Sequence, residues 1–256
     1  MSARHGPTEG LYVVGVSVVH RMAPPYKLAA TLGFVLAVVA TPREAVWAFA
    51  LDAMLVGVVA ALAGLRLRLL IRRLTIEVPF LIFALFLPLV GGGHRTEVLG
   101  VSLSVDGLWG AWNILVKGTL GVAATVLLAA TTTVPDLLRG LEQLRTPRAF
   151  TMIAGMMVRY TGILADDLHR MRIARQCRGY DPGWLWQARA LTATAGTLFV
   201  RAYERGERVH LAMLARGFDG RLLPARPTPV PSPRPVWAAI APTIAGLAAL
   251  TAWIAL

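Results

Sequence analysis

The chain has 256 residues, 56% of them hydrophobic and only 16% charged, and its mean hydropathy is +0.60. That balance excludes an ordinary soluble domain and describes an all-α, polytopic helical membrane protein, so the net charge of +12 has to be read by position. The single cysteine excludes an intramolecular disulfide and any cysteine-based zinc cage.

The first apolar stretch, 11–19, is too short to span, is followed by His20 and Arg21, and lacks a small-x-small cleavage site, so it does not read as a signal peptide. Longer apolar runs follow at 28–40, 45–65, 76–90, 108–133 and 236–256. The second, fourth and fifth are long enough for a hydrocarbon core of about 30 Å; the first and third are short, and can be thin spans, tilted spans or partly re-entrant segments. Arg66, Arg68, Arg72 and Arg73 lie between the second and third runs, whereas 91–107 carries only Arg95 against Glu97 and Asp106. The positive-inside rule places the arginines and the N-terminus in the cytoplasm, the glycine-rich loop outside, and 135–235 back inside. Two charges fall within the spans: Asp52 in the second run and Lys117 in the fourth, both about 10 to 14 Å below the outer boundary by helix rise. An unpaired charge at that depth is costly, and an Asp52–Lys117 contact is expected.

The inside segment 135–235 holds sixteen Lys and Arg and eight acids. Such a basic face suits anionic lipid, nucleic acid or an acidic protein groove. It opens on Thr133-Val-Pro-Asp136, a capping-box-like start, and Val134, Leu137, Leu138, Leu141 and Leu144 then share one face of an amphipathic helix that ends at Thr146-Pro147 and lies on a membrane or a partner. Stretches 149–165 and 188–200 are apolar enough to pack at the interface, and the proline-rich 224–235 is a stiff connector into the last span. The organisation is therefore membrane helices over 1–134, a cytoplasmic helical region over 135–235 and a final membrane helix over 236–256, all one structural unit.

Within the basic region one segment occurs twice. Arg170-Met-Arg-Ile-Ala-Arg-Gln-Cys-Arg-Gly-Tyr-Asp181 is matched 38 residues later by Arg208-Val-His-Leu-Ala-Met-Leu-Ala-Arg-Gly-Phe-Asp219. Each copy reads as a helix whose last turn carries an arginine, Arg178 or Arg216, before a left-handed glycine, Gly179 or Gly217, that stops it. The helix dipole favours a cation there and the guanidinium is presented outward. Cys177 and Ala215, both small, let another surface come close; Phe218 is expected to fold back on Met213, and Tyr180 to cover Ala174.

Little else in the chain suggests chemistry. It has no G-x-x-x-x-G-K-[ST] phosphate loop, and its five histidines, at 5, 20, 94, 169 and 210, form no cluster and read as loop or surface residues. Asp166-Asp167 with His169 is better read as a solvated helix face than as a metal site, because adjacent side chains on a helix point about 100° apart. The aspartates and Ala174-Arg175 do not complete a membrane phosphotransferase signature either.

Taken together, Pro24-Pro-Tyr-Lys27, Thr41-Pro-Arg43, Val78-Pro-Phe80, Asn113-Ile-Leu-Val-Lys117, Pro135-Asp-Leu-Leu-Arg-Gly-Leu-Glu-Gln-Leu144, Arg159-Tyr160 and the two Arg-Gly segments resemble the transmembrane T component of energy-coupling-factor (ECF) transporters, CbiQ type, over nearly the whole length. The resemblance implies a non-catalytic transporter subunit, with ATP and Mg bound by two ABC-type ATPase subunits rather than by this chain. It also implies a substrate-binding S component in the lipid bilayer, CbiM/CbiN-like if the cargo is cobalt, with nickel or a vitamin as alternatives. It casts Cys177-Arg178-Gly179 and Ala215-Arg216-Gly217 as ATPase-coupling motifs on cytoplasmic coupling helices, supported by Ala174, Arg175, Tyr180, Phe218 and Asp219, in a multi-pass protein of a prokaryotic plasma membrane. No nucleic-acid partner is expected, since no aromatic stacking platform accompanies the arginines. The competing reading is a basic membrane-anchored module for lipid or nucleic acid.

Overall fold

In a computed structural model of the chain, the described residues are 12–13, 15, 17–65, 75–90, 92, 95–98, 101–179, 188–218 and 236–255. Among them are nine α-helices: α1 (Val18–Arg21), α2 (Pro24–Ala40), α3 (Val46–Leu62), α4 (Val78–Val90), α5 (Val105–Thr131), α6 (Val134–Gln143), α7 (Arg148–Cys177), α8 (Ala188–Ala215) and α9 (Val236–Ala255). The all-α architecture agrees with composition, with one addition. In the loop between α4 and α5, β1 (Arg95–Val98) pairs antiparallel with β2 (Val101–Ser104), Arg95 opposite Ser104 and Val98 opposite Val101. The threonine and valines of these strands favour extended backbone, a local preference that the flanking glycines obscure in the sequence. The arginines at 66, 68, 72 and 73 and the proline-rich connector lie outside the described residues.

The chain divides into two compact units, one comprising Leu11–Leu144 and Pro229–Leu256, the other containing Arg145–Thr228. The first holds α1–α6 and α9, so the division falls ten residues beyond the expected boundary and leaves α6 with the membrane helices. Contacts explain this. Gly140 of α6 is buried so close to α2 that an added Cβ would lie 2.7 Å from Leu28 Cδ1 and 3.0 Å from the Pro24 carbonyl carbon. The partner of the amphipathic helix is thus, at least on its Gly140 side, the chain's own α2. Its start is as expected: the Thr133 hydroxyl accepts from the Asp136 N–H at 3.3 Å and donates to Asp136 Oδ2 at 2.6 Å.

In this first unit α2 packs on α5, α6 and α9, α3 packs on α5 and α9, and α4 on α5. Phe34 and Val38 of α2, Phe49 and Val56 of α3, and Leu120 and Leu127 of α5 form the main core. Small residues bring helices together elsewhere: Ala45 and Ala48 meet Ala248 and Ala252, and Gly33 faces Pro242. Outside that core large apolar side chains face outward, with Phe80, Phe83, Leu85 and Phe86 of α4 all more than half exposed. Such a surface suits hydrocarbon and not water. Only α5, with 27 residues, is both long and apolar enough to cross a membrane by itself among the described residues; α2, α3, α4 and α9 are shorter apolar helices.

Two lysines tie α2 to α5 at opposite ends. Lys27, buried in the first turn of α2, donates to the Thr131 carbonyl at 2.9 Å, the His20 carbonyl at 3.2 Å and Thr132 Oγ1 at 3.4 Å. Thr131 ends α5, and its carbonyl has no donor one turn on, so the ammonium supplies one. Reciprocally, Lys117 of α5 donates to the Val39 carbonyl in the last turn of α2 at 2.8 Å, and Trp253 Nε1 of α9 donates to the Ala40 carbonyl at 2.8 Å. His20, expected at a surface, belongs to the same cluster: it is half-buried, with Nε2 3.0 Å from the Val13 carbonyl and Nδ1 2.7 Å from Ser17 Oγ.

The expected Asp52–Lys117 contact is corrected by this arrangement. Asp52 is fully buried in α3 and neither carboxylate oxygen has a hydrogen-bond partner, while Lys117 serves the end of α2. A helix C-terminus carries partial negative charge and free carbonyls, and the long lysine stem reaches it.

Thermal unfolding in detergent checks this packing. At Gly107 a Cβ would lie 2.5 Å from the Leu87 carbonyl oxygen, so Gly107→Val is expected to destabilise by about 1–3 kcal/mol, while Gly121→Ala, with nothing within 4 Å, is not. Lys27→Met strands the Thr131 carbonyl and is expected to cost about 1–3 kcal/mol. Asp52→Asn and Lys117→Met are expected to add within about 0.5 kcal/mol in a double-mutant cycle, because the two residues share no hydrogen bond or ion pair.

Candidate functional site

The second unit carries both copies of the repeat, on two long helices. α7 has 30 residues and α8 has 28, about 45 and 42 Å of helix. Both stop as the sequence predicts. Gly179 and Gly217 take φ of 75° and 78°, the left-handed region in which a glycine lacks the Cβ clash. At the first stop the Arg178 N–H donates to the Arg175 carbonyl at 3.1 Å and the Gly179 N–H to the Gln176 carbonyl at 2.9 Å. At the second, the Gly217 N–H reaches the Leu214 carbonyl at 2.9 Å and the Phe218 N–H the Met213 carbonyl at 3.0 Å, the full pair of bonds of a Schellman stop. The Phe218 N–H thus closes the turn on the Met213 carbonyl.

Arg178 and Arg216 occupy equivalent places, one residue before the left-handed glycine, and both are exposed, as are Cys177 and Ala215 beside them. Each guanidinium is free to meet a carboxylate from outside, and the last carbonyls of its helix favour a cation at that point. Tyr180 and Asp219 lie outside the described residues, and Ala174 is exposed on α7.

Arg175 differs from Arg178. Its Nη1 donates across to Thr194 Oγ1 of α8 at 3.2 Å, while its Nε is buried without a partner. Eight residues back on α7, Asp167 makes a second crossing: Oδ1 accepts from Arg170 Nη2 of its own helix at 2.5 Å and Oδ2 from Arg205 Nη2 of α8 at 3.0 Å. Both crossings run against the chain direction, so α7 and α8 pack antiparallel. Asp167 is also the one buried residue of α7. The hydrogen bond from Arg170, opposed by burial and aided by the charges of Arg205 and Arg170, holds its carboxyl below the ordinary carboxylate range. Its stabilising effect is thus present above that range and lost as pH falls through the lowered pKa.

The solvated face expected around Asp166 and Asp167 therefore holds for exposed Asp166 and fails for Asp167. A signal for it was available, since Asp167 and Arg205 are 38 residues apart, the period of the repeat. Opposite charges at matched positions of a duplicated helix are candidates to meet.

Comparison with known proteins gives the family. The family model for CbiQ, cobalt transport protein, matches residues 15–227. An energy-coupling factor transporter transmembrane protein EcfT from Bacillus selenitireducens is 27% identical over 82% of this chain and 83% of its own length. The EcfT of Thermosediminibacter oceani is 25% identical over 83% of this chain and 84% of its own. The cobalt transport protein CbiQ of Rhodobacter capsulatus is 30% identical over 52% of this chain and 55% of its own. With outward apolar helices in one unit, two matched arginine-bearing helix ends in the other and a family match over most of its length, the chain belongs to the CbiQ/EcfT family of ECF-transporter transmembrane components and is a membrane protein.

Proposed function

We propose that this chain is the coupling subunit of an ECF-type ABC importer, transmitting the motion of two ATPase subunits to a substrate-capturing S component. The observation that carries the reading is the pair of helix ends with the same stop, each with an exposed arginine one residue before a left-handed glycine. One docking device built twice suits a partner present in two copies. A guanidinium at a helix end forms charge-assisted, often bidentate bonds with an acidic groove, and ATP and Mg belong to those partners.

Arg178 and Arg216 are the docking residues in this reading, with Cys177, Gly179, Ala215 and Gly217 allowing close approach. Arg175, committed to Thr194, holds the helix pair instead. The protein is multi-pass in a prokaryotic plasma membrane, with its N-terminus and both Arg-Gly ends in the cytoplasm. The meeting of the α2 start with the α5 end, and of the α2 end with Trp253 of α9, supports that alternation of ends. Cobalt is the favoured cargo, on the family description and the CbiQ relative, and the S component would then be CbiM/CbiN-like.

An Arg178→Ala/Arg216→Ala double variant tests the docking. Each charge-assisted contact is worth about 1.5–3 kcal/mol, so co-purification of the ATPase pair in detergent is expected to be lost, and uptake of Co²⁺ into cells with it. Normal co-purification and uptake would overturn the assignment. Uptake of Ni²⁺ or a vitamin in place of Co²⁺ would overturn the cargo alone.

A further inference from the structure

The register of the repeat can be carried upstream of its first pair, Arg170 and Arg208. In the register that pairs Arg178 with Arg216, Arg170 pairs with Arg208 and Asp166 with Glu204, arginine with arginine and acid with acid. Asp167 pairs with Arg205, and there the charge is reversed. That reversed position is where the two helices meet: Asp167 Oδ2 accepts from Arg205 Nη2 at 3.0 Å.

When two like helices pack antiparallel about a local two-fold axis, residues at equivalent positions face each other where that axis passes between them. Asp167 and Arg205 are equivalents in this register, so their contact lies where such an axis would pass. Two aspartates at that point would repel, and two arginines likewise; one of each attracts. The pair is eleven residues from its arginine on both helices, 167 to 178 and 205 to 216, which is about 16 Å of helix on each side.

We propose that the Asp167–Arg205 ion pair is the pivot of the two helices, a positioning pair that holds the Arg178 and Arg216 ends on equal arms about the crossing. Three observations beside the register support it. Asp167 is the one buried residue of α7, so apolar packing does little to define this crossing. Arg170 fills the second carboxylate oxygen from the same helix, leaving Oδ2 directed at α8. Arg175 bonds Thr194, whereas its repeat mate Met213 carries no donor, so the second crossing bond belongs to one arm only and cannot itself mark the axis. With ATPase subunits gripping both ends, a fixed crossing with equal arms converts their closure into rotation of one helix against the other; that consequence rests on the function proposed above, while the pivot itself does not.

The experiment uses the full chain. Nitroxide labels on the native thiol of Cys177, which is exposed, and on Ala215→Cys report the distance between the two ends by pulsed electron paramagnetic resonance. A single narrow distribution is expected for the otherwise unchanged chain and for Asp166→Asn, and a broadened or shifted one for Asp167→Asn and for Arg205→Gln. Asp167→Glu, which keeps the charge, is expected to restore the narrow form and shows that broadening is not general misfolding. Distributions unchanged in both Asp167→Asn and Arg205→Gln would overturn the pivot. In unlabelled complexes, Asp167→Asn is expected to leave the ATPase pair bound while Co²⁺ uptake per ATP hydrolysed falls about tenfold, the loss of one charge-assisted bond. A broadened distribution with unchanged uptake per ATP would keep the pivot and overturn its part in coupling.

Discussion

A helix leaves its last carbonyls without donors of its own, and the bundle depends on how those carbonyls are satisfied. α2 and α5 solve the problem for each other, since Lys27 at the start of α2 serves the end of α5 and Lys117 within α5 serves the end of α2. Trp253 adds a donor from α9 at Ala40. These bonds fix which ends lie side by side. The apolar contacts of Phe34, Val38, Leu120 and Leu127 then fill the space between, and the alanines of α3 and α9 close the far side. A charge that looks expensive within an apolar run is here the donor that completes a neighbouring helix end.

The helix-pair unit is built on the opposite economy of interactions. Its helices are long, much of their apolar surface faces outward, with Phe150, Phe199 and Leu211 each more than 60% exposed, and the buried feature of α7 is a carboxylate. Such a pair leaves apolar surface open and relies on directed polar bonds for its own geometry. Bonds that depend on direction define a crossing better than slippery apolar contact does, and they leave the helix ends uncovered. The family to which the chain belongs consists of components of multi-subunit transporters, and an open, polar-braced helix pair is consistent with a part whose surfaces are completed by others.

Asp52 stands apart from both schemes. It is buried in α3 with no hydrogen-bond partner, at a position where an ion pair was the economical expectation. The expectation rested on equal depth along two helices, which is necessary for pairing and not sufficient. Rotation about each helix axis decides whether two side chains at one level face each other, and depth carries no information about rotation.

Much of the fold, and the local geometry of the candidate site, was legible without coordinates. The helical class followed from hydropathy, the two helix stops from Arg-Gly after a helical pattern, and the α6 start from Thr133 and Asp136, because these depend on residues within a turn or two of one another. The family resemblance drew on the same local motifs. Tertiary structure alone decided that Lys117 serves α2 rather than Asp52, that α6 docks on α2 through Gly140, that Arg175 turns inward while Arg178 remains exposed, and that Asp167 is buried against Arg205. Each of those outcomes depends on which face of a helix is presented to a neighbour distant in sequence, and that is set by packing of the whole unit, not by any segment read on its own.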